Sequence, residues 1–122
     1  MTTPEEKPLA WLGSRKKDLM ALPVAVRKFF GHALDFAQRG ERHHAAKVLK
    51  GFGGVRVYWR SWIDQGGTYR VVYTVKFREA VCVLHVFHKK SKSGIATPKP
   101  DMDIIRERLK IAEKFSQEMQ DE

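Results

Sequence analysis

A single cysteine, Cys82, is all the thiol chemistry this 122-residue chain holds, and it lies inside the apolar run AVCVLHVF. An internal disulfide and a thiolate-built metal centre are both excluded, and a buried, inert thiol is expected. Long apolar runs are missing as well: no stretch approaches the roughly 18 residues that a membrane span requires. The opening MTTPEEKPLAWLG lacks the basic-then-apolar order of a secretory leader. These absences point to a cytoplasmic protein with no membrane partner. No Gly-rich phosphate loop with its lysine, no interpretable Ser-His-Asp order and no paired carboxylates occur. His43 and His44 are adjacent, so their side chains point apart and do not suggest a zinc site. No cofactor is expected.

Acidic residues are scarce where the chain is expected to fold. Of 14 Asp and Glu, six lie near the ends, at Glu5, Glu6, Glu113, Glu118, Asp121 and Glu122. Between residues 7 and 112 there are 22 basic side chains against 8 acidic ones, a net +14. Solubility alone does not need so one-sided a field, and a polyanionic partner such as nucleic acid is implied. The length and a 43% hydrophobic content suit one domain over 1–122 with one modest core at about 8–115. The acidic tail from 116 to 122 is expected to fray.

What is present predicts an α+β protein in the order strand, two helices, three strands, helix. PLAWL at 8–12 suits a short strand, and Ser14 can cap a brief helix that Pro23 stops. Pro23 is also placed to open a second helix, whose stripe is Val26, Phe29, Phe30, Ala33, Leu34 and Ala37. ERHHAAKVLKGFGG reads as a flexible connection. VRVYWRSW alternates, with Val55, Val57 and Trp59 on one face and Arg56, Tyr58 and Arg60 on the other; a turn follows at 64–67. TYRVVYTVKF and AVCVLHVFHK follow over short links, so the three strands form an antiparallel meander. Ile104, Ile105, Leu109, Ala112 and Phe115 mark a last helix, with Asp101 as its expected N-cap.

Alternation in the middle strand puts Arg70 with Thr68, Val72, Thr74 and Lys76, opposite a core set of Tyr69, Val71, Tyr73, Val75 and Phe77. A buried arginine needs solvent, an acid or an anionic ligand. Arg56 and Arg60 on one neighbouring strand and His85, Phe87 and Lys89 on the other make that face a candidate phosphate cradle. HVFHKKSKSG gathers His85, His88, Lys89, Lys90 and Lys92 at the end of the last strand. RNA cleavage by 2′-hydroxyl attack needs a base, charge stabilisation at phosphorus and an acid for the departing oxygen, which histidine and lysine can supply. Arg70, Lys89, Lys90, His85 and His88 are therefore the candidate catalytic residues. Lys50, Arg56, Arg60, Lys76 and Lys92 are candidate RNA contacts, and Phe52, Tyr58 and Phe87 are candidates for stacking on unpaired bases.

LKGFGG at 49–54, TYRVVYTVKF at 68–77 and VLHVFHKKSKSGIATPKPDMDIIRERL at 83–109 resemble the phage-type branch of the RelE/HigB toxins, over roughly residues 8–115. The resemblance implies a RelE-like fold, with helices packed on one face of a small antiparallel sheet. It also implies a type II toxin that enters the ribosomal A site and cuts messenger RNA. An antitoxin, commonly one with a helix-turn-helix DNA-binding domain, would hold it inactive. Arg70 matches the family's strand arginine on the scissile phosphate, and Lys89 matches the basic position closing the last strand. Lys90, His85 and His88 match more loosely. Members often use a C-terminal tyrosine or histidine for proton transfer, whereas this chain has no tyrosine after Tyr73 and no histidine after His88. That departure leaves open a gyrase-directed activity like that of the related ParE toxins, or nucleic-acid binding without catalysis.

Overall fold

A computed structural model describes residues 7–13, 15–41, 46–53, 55–90 and 96–120. Along the chain come β1 (Leu9–Trp11), α1 (Arg15–Met20), α2 (Val24–Gln38), β2 (Lys47–Val48), β3 (Val57–Asp64), β4 (Gly67–Thr74), β5 (Val81–Lys89) and α3 (Lys99–Gln120). The strands form one sheet in the order β1-β5-β4-β3-β2.

The meander of β3, β4 and β5 is antiparallel, as the short links require. The sheet as a whole is mixed, because β1 pairs parallel with β5, Ala10 lying opposite Cys82. Two-residue β2 extends the other edge, with Lys47 opposite Trp59. The β3–β4 turn depends on Gly67, which has φ +116° and whose missing Cβ would fall 2.1 Å from the Lys89 carbonyl oxygen.

Helices cover both faces of the sheet, which corrects the expectation of one covered face. Tyr69, Val71 and Tyr73 pack with Leu19 of α1 and with Val26, Phe30, Leu34 and Ala37 of α2. Val72, Cys82 and Leu84 pack on the opposite side with Ile105, Leu109 and Ala112 of α3. The reason is visible in β4, where every residue is buried, and in the unbroken apolar start of β5. Strands buried on both sides read as continuous apolar runs rather than as alternation. Each fully buried Phe or Leu here contributes about 1.5–3 kcal/mol of transfer free energy.

The strand ends and the last helix also differ from expectation. β4 stops at Thr74, so the alternation breaks there and Phe77 joins the α3 cluster instead of the Tyr69 set. Ser116 is buried and donates to Glu79, so α3 continues through the expected tail to Gln120, while Phe115 is exposed. Cys82 is buried, and desolvation, followed by the charge of Glu79, pushes its pKa up to about 11. Among the described residues no helix is long and apolar enough to cross a membrane.

Candidate nucleic-acid interface

Strand register places Ser61 of β3 and Phe87 of β5 on either side of Arg70. With period-2 alternation the α3 face of the sheet carries Trp59 and Ser61, Arg70 and Val72, and His85, Phe87 and Lys89. Arg70 is 1% exposed. Its Nε donates to Ser61 Oγ at 2.8 Å and an Nη donates to Thr97 Oγ1 at 3.0 Å. The guanidinium lies 4.1 Å from the Trp59 ring centroid. Burial lowers its pKa, and the negative charge of Asp101 opposes that shift.

Asp101 is the acid that this face supplies. Its Oδ1 stands 2.7 Å from His85 Nε2. On the other side of the imidazole, Arg108 lies 3.3 Å from Nδ1 and also donates to the Leu84 carbonyl. Arginine can only donate, so Nδ1 accepts and Nε2 carries the proton shared with Asp101. His85 is 6% exposed and stacks on Phe87 with ring centroids 4.8 Å apart. Asp101 keeps 22% of its side chain exposed. Lys89, at the end of β5, donates to the Ala96 carbonyl at 3.1 Å.

Several residues singled out from the sequence lie elsewhere. His88 points to the α2 face, stacks on Tyr69 with ring centroids 4.3 Å apart and bonds the Gly66 carbonyl. Tyr58 is buried in the α2-side core beside Tyr73. Arg60, on that same face, lies over Phe29 at 4.2 Å; the residue opposite Arg70 is Ser61. Lys76 pairs with Glu113 at 3.1 Å, six positions along the chain from Arg70. Arg56 and Lys50 are exposed, as is Lys90 just past β5. Phe52 is half-buried, with the Arg106 guanidinium 5.6 Å from its ring. Lys92, His43 and His44 lie outside the described residues.

The residues missed are Ser61, Trp59, Thr97, Asp101 and Arg108. Asp101 is not the N-cap, since α3 starts two residues earlier at Lys99; its carboxylate turns inward to the sheet. The signal for Ser61 and Trp59 was the alternation of β3, which sets both on the face opposite Arg60. Nothing local marks Thr97 or Arg108, whose roles arise from docking α3 across β5. Among the described residues no group of three or more His, Cys, Asp or Glu could hold a metal ion.

Fold and site together define a small, basic α+β protein built around a buried arginine on the middle strand of the sheet. Residues 17–110 match the family model described as "Phage derived protein Gp49-like". The chain belongs to that family, which is a RelE-like toxin family of the type II toxin–antitoxin kind. No curated protein matches the chain.

Proposed function

We propose that the chain is the toxin of a toxin–antitoxin pair and cuts messenger RNA on the ribosome. The observation that carries this proposal is the juxtaposition of Arg70, Asp101, His85 and Lys89 on one face of the sheet in a member of a toxin family. Arg70 is held by the neutral hydroxyls of Ser61 and Thr97, which phosphate oxygens can replace as acceptors. Asp101, part exposed, takes the 2′-hydroxyl proton as O2′ bonds to phosphorus. The P–O5′ bond breaks, Lys89 delivers a proton to the departing oxygen, and a 2′,3′-cyclic phosphate and a 5′-hydroxyl result.

His85 is a positioning residue in this scheme, because both its nitrogens are committed and its task is to aim Asp101. Arg70 is covered in the free chain, so Thr97 must give way to the phosphate. The ribosome presents the messenger, and proximity and orientation supply roughly 7–11 kcal/mol of the barrier. Purified protein added to ribosomes programmed with a short messenger tests this: cuts inside the A-site codon ending in cyclic phosphate are expected, and an intact messenger overturns the proposal. Intact messenger together with broken DNA in arrested cells would instead support gyrase as the target. The antitoxin of the proposed pair must cover or neutralise the basic face, so its association should weaken with salt.

A further inference from the structure

The α3 face of the sheet is unevenly covered. Helix α3 packs over β5, while β3, at the other side of β4, offers Trp59, Ser61 and Ile63 on the same face, with Ile63 59% exposed. Trp59 is half-buried, and two cations approach its ring. The Arg70 guanidinium lies 4.1 Å from the centroid, and the Lys47 ammonium of edge strand β2 lies 5.6 Å from it. Phe52 and Met102 pack against the same core cluster as Trp59, and Arg106 lies over Phe52. A large flat ring on β3 is therefore approached by cations from both neighbouring strands, β4 and β2.

We infer that Trp59 is a nucleobase-stacking subsite for single-stranded RNA, filled by a base next to the phosphate held by Arg70. This inference rests on the proposed function and names the contact that holds the substrate beside the reacting phosphate. Any base has a π-face, so an indole ring serves a substrate whose sequence varies, and indole is the largest such surface among the side chains. Lys47 sits on the edge strand with an exposed, flexible stem. An arriving base displaces its ammonium from the ring, and the ammonium then pairs with an adjacent phosphate. The Arg70 contact fixes the indole plane, so little freedom is lost when the base stacks.

The test uses the full chain and a fully 2′-O-methylated hexaribonucleotide, which cannot be cleaved through its 2′ position. A matching hexamer with one internal abasic unit serves as the comparison. Trp59→Ala is expected to weaken binding of the intact hexamer about tenfold or more, with the salt dependence of binding unchanged because no phosphate contact is lost. Lys47→Ala is expected to lower the slope of log affinity against log salt by about 0.7. The abasic hexamer should bind wild type and Trp59→Ala alike. Trp59→Phe, which keeps an aromatic ring over Arg70, should fall between the two and guards against a folding defect. If Trp59→Ala binds the intact hexamer as wild type does, the subsite is overturned and the proposed function stands. If wild type binds neither hexamer, the subsite is overturned, and the assay on programmed ribosomes alone decides the proposed function.

Discussion

His85 Nε2 and Asp101 Oδ1 stand 2.7 Å apart, joining the last strand to the first turn of the last helix across sixteen positions of sequence. The pair sets a carboxylate near Arg70 on an otherwise cationic sheet face. Asp101→Asn keeps an acceptor for the His85 proton but removes the carboxylate. RNA cleavage should fall about 10²–10⁴-fold while the melting temperature stays nearly unchanged. Asp101→Ala also strands a buried donor, so it should lower stability by about 1–3 kcal/mol as well. Single-turnover cleavage and urea unfolding of the two variants separate these effects.

Arg60 and Arg70 are ten residues apart and face opposite sides of the sheet. Arg60→Ala should leave cleavage within about twofold of wild type and reduce stability by about 1 kcal/mol, through the lost stacking on Phe29. Parallel assays of unfolding and cleavage check both halves of this prediction.

This contrast shows how far alternation can be trusted from sequence alone. Alternation gives the right face for Arg70, His85, Phe87 and Lys89, because a strand has one period and β5 keeps it to its last residue, Lys89. Alternation also sets Arg60 apart from Val57 and Trp59, but it does not say that Arg60 and Arg70 face opposite sides, since pairing register depends on where the turn falls. The turn at 64–67 sets Ser61 opposite Arg70. Tyr58 shares the wrong face for the same reason. Asp101, Thr97 and Arg108 were not legible because they reach the site only through the docking of α3, a contact with no local pattern. The apolar runs of β4 and β5 did carry the signal for a sheet covered on both sides.

Gly67→Ala should destabilise the protein by on the order of 3 kcal/mol, from backbone strain at φ +116° and a collision with the Lys89 carbonyl. Urea unfolding measures the loss. Lys89 closes the strand beside that carbonyl, so cleavage should fall along with stability.

Cys82 should resist alkylation at pH 8 in the folded protein and react freely in denaturant. The folded thiol, held near pKa 11, keeps its proton where the unfolded thiol has lost it. The unfolded state then binds fewer protons, so this contribution to stability is present below about pH 9 and is lost as pH rises toward 11. The loss amounts to roughly 2–3 kcal/mol. Cys82→Ala should flatten that part of the stability profile.

In the proposed mechanism Arg70 holds the scissile phosphate of a translated messenger. Primer extension on a reporter messenger tests it most directly, after brief induction of wild type and of Arg70→Ala in cells without an antitoxin. Discrete cuts inside translated codons for wild type, absent for a variant that is still folded, are predicted. An uncut messenger during growth arrest by wild type, or undiminished cuts by the variant, would contradict it.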